Sequence, residues 1–162
     1  MAIELDMYIQ ATYNRFDKDG FIQHNEIVNG IDVTIAKQQE FRLSWMATKM
    51  HYTGIYGVLE HITQQDAELF STACFECAKK NYSGRRGLQS GFSSISALIS
   101  RSVDVAAKEW VTNFQKKHFA SFEIPVIIDL SSNELLFCQK KPLWGRIYYG
   151  SFHEFIYKYY RP

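Results

Sequence analysis

The 162 residues of this chain are enough to bury a hydrophobic core in one domain without disulfides or structural metals. Its formal net charge of +1 excludes a general electrostatic attraction to nucleic acids or acidic membranes, so any basic site must be local. Hydrophobic residues make up 46% and charged residues 22% of the chain, which predicts a single globular domain over residues 1–162.

The first residues lack the basic segment and the apolar run of a signal peptide, and no apolar stretch reaches membrane-spanning length. Three cysteines are an odd number, which favours reduced thiols over a disulfide framework. We therefore expect a soluble cytoplasmic protein without a membrane partner.

In the first part of the chain, apolar spacing predicts a helix from Ile3 to Phe16. The turn-forming residues Asp17 to Gly20 end that helix. Asn29-Gly30 predicts a hairpin turn between residues 26–28 and 31–35, with a loop as the open alternative.

Two further strands and a helix are predicted before residue 82. Alternation over residues 41–47 and a compact apolar run over 54–59 indicate a second pair of strands. Thr63, followed by Asp66, is typical of a helix capping box, and the apolar stripe behind it predicts a helix that ends near Asn81.

A strand-helix-strand unit follows. Residues 95–100 and 123–130 are apolar, as in strands buried on both faces, and Ser102 is the expected N-cap of a helix between them. Residues 134–139 predict an antiparallel strand and residues 151–160 a final helix. The order predicts an α/β or α+β fold, a layered domain with a mixed sheet, a central crossover and packed helices.

Two segments have residue spacings typical of metal sites, but neither contains all the ligands that a metal ion needs. Residues 16–26 resemble the calcium-binding loop of an EF-hand, yet Arg15 stands where the first carboxylate belongs, so an Asp-Gly turn is favoured. Cys74 and Cys77 form a CxxC without a second pair, and both lie on the apolar stripe of a helix. Buried thiols are favoured, and we expect no metal and no cofactor.

A glycine-rich basic loop is the first candidate binding element. Glycines let backbone amides approach an anion, and arginines donate bidentate hydrogen bonds to phosphate or carboxylate. The spacing fits neither a P-loop nor a dinucleotide fingerprint, and a solvated loop is the alternative. The predicted contacts are Arg85, Arg86 and Gly87.

Cations and large rings alternate after residue 140, which is the second candidate. Such residues are typical of protein interfaces and, less strongly here, of surfaces that stack nucleic-acid bases. The alternative is that the rings close the open side of the sheet. The predicted contacts are Trp144, Arg146, Tyr148 and Tyr149.

Catalytic candidates are Asp129, Glu76 and His118, because a metal-dependent nuclease needs clustered carboxylates and a base. Each has a structural alternative, such as a turn-capping role for Asp129. We expect a non-enzymatic binding module with a protein or anionic partner, and a phosphodiester-cleaving hydrolase is the alternative. A homodimer is expected if the tyrosine-rich tail is unpacked in the monomer.

Overall fold

The structure is a computed structural model that describes residues 4–42, 48–82 and 90–162. Its strands are β1 (Ile22–Val28), β2 (Ile31–Arg42), β3 (Thr48–Val58), β4 (Ser90–Ser100), β5 (Ser121–Asp129) and β6 (Glu134–Leu136). Its helices are α1 (Leu5–Lys18), α2 (Gln64–Lys80), α3 (Val105–Asn113) and α4 (Arg146–Tyr160), with a 3-10 turn over Leu143–Gly145.

The strands form one mixed sheet in which their spatial order equals their chain order. The first three strands are antiparallel, β3, β4 and β5 are parallel, and β6 pairs antiparallel to β5. Parallel neighbours need a crossover, and α2 and α3 supply the two that are required. The predicted mixed α/β class and its central crossover are confirmed.

The two faces of the sheet carry different cores. The face under α1 and α4 is aromatic, and its fully buried rings include Tyr8, Phe16, Tyr56, Phe152 and Tyr160. The face under α2 and α3 is mainly aliphatic, with Ile35, Ile55, Leu98, Val111 and Ile127. Side chains that alternate along β4 and β5 therefore enter one core or the other.

The helix and hairpin predicted first are confirmed, with shifted bounds. Asn29 and Gly30 both have positive φ, of 52° and 74°, as a two-residue hairpin turn with the twist of its strands requires. The pairing extends well beyond the predicted turn region, from Val28↔Ile31 to Ile22↔Lys37. The separate strand predicted over 41–47 is wrong in its first two residues, because 41 and 42 continue β2. Residues 43–47 lie outside the described residues.

The capping box of α2 is confirmed, since the Asp66 N–H donates to Thr63 Oγ1 and the Thr63 N–H donates to the Asp66 carboxylate. The predicted start of α3 is wrong. Asp104 is the N-cap instead of Ser102, whose hydroxyl is hydrogen bonded to His61.

Helix α4 starts five residues before the predicted Ser151, so Tyr148 and Tyr149 are helical. Its aromatic side covers the sheet, and Tyr159 and Tyr160 are only 5% and 0% exposed. Tyr157 of the same tail is 50% exposed, and the expected homodimer stays a prediction.

The cysteines and the acidic turn have structural roles. Cys74 is fully buried in the aliphatic core, and Cys77 is half-buried with its thiol 3.7 Å from a Glu26 oxygen. Asp19 is bonded to Lys158 and to Tyr159 Oη, which ties the turn after α1 to α4. Among the described residues no helix is both long and apolar enough to cross a membrane.

Candidate functional site

A cavity of about 240 Å³ opens where the parallel strands begin, and we name it the amino-end pocket. It lies between the first residues of β4, the turn that precedes β5, and the 3-10 turn that leads into α4. Its lining consists of Met50, Ser90, Gly91, Lys117, His118, Phe119, Ala120, Phe122, Trp144 and Tyr148.

Aromatic rings form the apolar wall of the amino-end pocket. The ring of Phe122 lies nearly parallel to that of Trp144, with centroids 6.3 Å apart and an interplanar angle of 12°. Tyr148 is tilted against the same phenylalanine at 5.1 Å. Because the rings pack on one another, they present a preformed apolar surface to an inserted group.

The rim of the amino-end pocket exposes both apolar and charged groups. Phe119 is 71% exposed, and Leu143, next to Trp144, is 86% exposed. Lys117 is exposed beside them, so an apolar contact surface adjoins a positive charge. Exposed apolar surface rimmed by a polar or charged group marks a candidate contact site.

Below the rim, a histidine stands against a buried acid. The His118 ring is stacked on Phe75 of α2, with centroids 3.9 Å apart. Its Nε2 lies 3.5 Å from Oε2 of Glu123, which is longer than a normal hydrogen bond. Neither atom has a hydrogen-bond partner among the described residues, although Glu123 is only 3% exposed. Leaving a carboxyl oxygen buried without a hydrogen bond costs stability.

The close approach of two backbone segments shapes the base of the amino-end pocket. A Cβ atom at Gly91 would lie 2.7 Å from the carbonyl oxygen of Ala120, so only glycine fits there without a backbone shift. Ala120 itself has a φ of 47°, in the left-handed region. Ser90 is hydrogen bonded through its hydroxyl to Tyr82, and these two described residues flank 83–89.

The amino-end pocket brings together three residues that the sequence singled out separately: His118, Trp144 and Tyr148. Arg146 is exposed at the first position of α4, two residues after Trp144. Tyr149 is only 6% exposed and packs in the aromatic core, so its ring is not at the surface.

The glycine-rich basic loop cannot be placed against the pocket. Arg85, Arg86 and Gly87 lie outside the described residues. Their predicted role in binding therefore stays a prediction.

The three catalytic candidates are not brought together. Asp129 ends β5 whereas His118 precedes it, and nine strand residues separate the two ends by roughly 26 Å. Glu76 is an exposed residue of α2. Across 4–42, 48–82 and 90–162, no group of three or more histidine, cysteine or acidic residues could hold a metal ion.

Polar groups gather at the opposite ends of the parallel strands, and we name them the carboxyl-end cluster: His61, Ser102, Asp104, Lys108, Asp129 and Glu134. Lys108 Nζ lies 2.7 Å from Asp129 and 2.5 Å from Glu134. Burial raises the pKa of Asp129, but hydrogen bonds from Lys108 and Ser131 outweigh it and hold the pKa at about 2. The same lysine lowers the pKa of Glu134.

Several residues at or beside the amino-end pocket were not singled out from the sequence, among them Glu123, Phe119 and Phe122. Glu123 carries a charge in the otherwise apolar run of β5, and that exception was a usable signal. Phe119 and Phe122 flank the start of the same strand, but nothing in their spacing indicates that a tight turn exposes one ring and buries the other.

Comparison of this chain with protein-family models, with curated proteins and with solved structures gave no match.

Proposed function

We propose that this chain is a binding module and that the amino-end pocket receives an apolar or aromatic side chain from an acidic segment of a partner protein. The observation that carries the proposal is the set of exposed and half-buried rings around a preformed cavity beside Lys117. Contiguous exposed apolar surface of this kind is commonly a recognition site.

The size of the pocket supports a single inserted side chain. Its volume of about 240 Å³ is below the roughly 300–1,000 Å³ that is usual for small-molecule sites. Phe119 and Leu143 extend the apolar surface past the cavity, where a peptide backbone and its next side chains would lie. A peptide anchor uses both features, whereas a compact ligand uses only the cavity.

Charge around the pocket supports an acidic partner. The segments that line it carry Lys49, Lys116, Lys117 and Arg146, all exposed. Glu123, the acid nearest in sequence to Lys117, is buried and cannot neutralise that lysine at the surface. The protein as a whole has a charge of only +1, so this local excess distinguishes the pocket from the average surface.

Isothermal titration with the synthetic peptide Ac-Asp-Glu-Phe-Asp-Glu-NH2 tests the proposal. We expect a Kd of roughly 100 µM, which corresponds to about 5.5 kcal/mol of binding free energy. The matched peptide Ac-Lys-Arg-Phe-Lys-Arg-NH2 has the same anchor and the opposite charge, and it should bind at least about tenfold more weakly because it is repelled at the rim.

Variants locate the site. Trp144→Ala should reduce the binding free energy of the acidic peptide by about 2 kcal/mol, as expected for a hot-spot ring. Leu143→Ala should reduce it by about 1 kcal/mol. Leu143 is 86% exposed, so its substitution leaves the core intact. Ile27→Ala on β1 removes a comparably exposed apolar side chain away from the pocket, at 72% exposure, and should change nothing.

Two results would overturn the proposal. Equal affinity for the acidic and basic peptides would show that the positive charge at the rim does not select an acidic partner. Tighter binding of the single-stranded oligonucleotide dT6, with the same loss in Trp144→Ala, would make the partner a nucleic acid.

A further inference from the structure

Two connections meet at the carboxyl ends of β3 and β4 and hold three reactive side chains in fixed positions. Ile62 and Val103 form a parallel bridge between the connections. The Ile62 N–H donates to the Ser102 carbonyl, and the Asp104 N–H donates to the Ile62 carbonyl, each at 2.9 Å. His61 is thereby held next to Ser102 and Asp104.

The side chains of these residues form a continuous hydrogen-bonded chain. Ser102 Oγ lies 2.6 Å from His61 Nδ1, and His61 Nε2 lies 2.9 Å from Asp104 Oδ1. A carboxylate only accepts, so Nε2 carries the proton that it donates to Asp104. The lone pair of Nδ1 is then left to accept the proton of the serine hydroxyl.

This order of contacts is nucleophile, base and orienting acid. An acid that fixes one tautomer of a histidine keeps its other nitrogen available as a base toward the serine. Asp104 occupies the N-cap position of α3, but its carboxylate makes no hydrogen bond to the N–H groups of that helix and is directed to His61 instead. The positive end of α3 begins at the next residue and favours negative charge that develops nearby.

Exposure limits which substrates can react. The side chains of His61 and Asp104 are each 47% exposed, and Ser102 is exposed as well. An open site offers little binding energy to a large substrate but admits small activated acyl compounds. The carboxyl ends of parallel strands are also where ligands of open α/β sheets commonly bind.

We infer that Ser102, His61 and Asp104 form a second site that performs acyl transfer on small activated esters. Ser102 Oγ attacks the ester carbonyl carbon, and its proton passes to His61 Nδ1. The bond from carbon to the leaving oxygen breaks, and His61 returns the proton to that oxygen. Water then attacks the acyl-serine with His61 as base, which releases the carboxylic acid and restores the serine.

Labelling with diisopropyl fluorophosphate, followed by peptide mass mapping, tests the inference. Ser102 Oγ forms the bond to phosphorus, fluoride leaves, and the hydroxyl proton goes to His61. We expect one adduct, at Ser102, and none in Ser102→Ala. The labelling rate should fall about 100-fold or more in His61→Gln, which removes the base, and about tenfold or more in Asp104→Asn, which removes the orienting charge.

Two controls separate activation from simple exposure. Ser131 is also exposed and bonds a carboxylate, that of Asp129 at 2.6 Å. It has no histidine partner among the described residues, so Ser131→Ala should leave the adduct unchanged. Ile22→Ala should also label normally, because Ile22 is 74% exposed at the start of β1, an edge strand that does not neighbour β4.

An initial burst of p-nitrophenol from p-nitrophenyl acetate, lost in Ser102→Ala, supports the ester class. Absence of an adduct at Ser102 would overturn the inference. Labelling of His61→Gln or of Asp104→Asn at the rate of the unaltered protein would overturn it too, and the second variant decides the matter if the first fails to fold.

Discussion

The amino-end pocket and the carboxyl-end cluster lie at opposite ends of the parallel strands and differ in how their charged groups are paired. At the carboxyl ends, Asp129 has Lys108 and Ser131 as partners. At the amino ends, Glu123 is equally buried, but its Oε2 has no hydrogen-bond partner among the described residues. One end therefore stabilises the fold, whereas the other keeps polar groups whose interactions are incomplete.

The two ends of the parallel strands also differ in how much apolar surface they expose. Rings surround the amino-end pocket, and its rim exposes Phe119 and Leu143. The carboxyl-end cluster exposes mainly polar side chains held by one another. Incomplete pairing reduces stability and exposed rings add little to it, and such features persist in proteins mostly where function requires them. The comparison therefore favours the amino-end pocket for binding.

The largest expected effect is at the carboxyl-end cluster. Asp129→Ala should lower the free energy of unfolding by about 3 kcal/mol, because it removes a buried acceptor from Lys108 and Ser131. Urea unfolding at pH 7 measures it. A loss below about 0.5 kcal/mol, the size of an exposed ion pair, would mean that the cluster does not stabilise the fold.

The stabilisation that Asp129 provides depends on pH. The folded-state pKa of Asp129, at about 2, is below its ordinary value of 3.8. Its ionised form therefore stabilises the folded state above about pH 4, and this part, about 2 kcal/mol, is lost as the pH falls toward 2. The difference between the unaltered protein and Asp129→Ala should shrink over that interval.

A backbone contact at the amino-end pocket gives the next largest effect. Gly91→Ala should lower the free energy of unfolding by about 2 kcal/mol, because the new Cβ would press on the Ala120 carbonyl oxygen. Gly150→Ala is the control: its Cβ meets only Lys141 Nζ, at 3.8 Å. In the middle of α4 it should stabilise by about 0.5–1 kcal/mol. Equal changes in both variants would show that the contact at Gly91 is unimportant.

Replacing Glu123, whose Oε2 has no hydrogen-bond partner among the described residues, should stabilise the protein. Glu123→Met keeps an unbranched side chain and removes a buried oxygen that lacks a hydrogen bond, so the free energy of unfolding should rise by about 1 kcal/mol. Glu134→Met at the carboxyl-end cluster removes a partner of Lys108 and should lower it instead. Thermal unfolding compares the two. A loss of stability in Glu123→Met would mean that the acid is structural, and the contrast between the two ends would fail.

The smallest effect concerns the rim. Lys117→Ala should reduce the binding free energy of the acidic peptide by about 0.5 kcal/mol at low salt. The loss should be smaller at higher salt, because the charge of Lys117 is exposed and screened. Stability should not change. A salt-independent loss would point to packing of the lysine stem instead of its charge.

The layered α/β class followed from local patterns, because helix stripes, the capping box at Thr63 and the Asn29-Gly30 turn are short-range signals. The start of α3 could not be predicted, since Ser102 and Asp104 are both good caps and their contacts with a distant residue, His61, decide between them. Trp144 and Tyr148 were singled out, but their meeting with His118 depends on the fold. A pocket formed by segments about 25 residues apart leaves no pattern in a single sequence.

The most direct test is a map of backbone amide shifts in the 1H–15N spectrum during titration with Ac-Asp-Glu-Phe-Asp-Glu-NH2. We expect the largest shifts on residues 90–92, 117–122 and 143–148, around the amino-end pocket. Largest shifts on residues 61, 102–104 and 129–134 would place peptide binding at the carboxyl-end cluster and contradict this expectation.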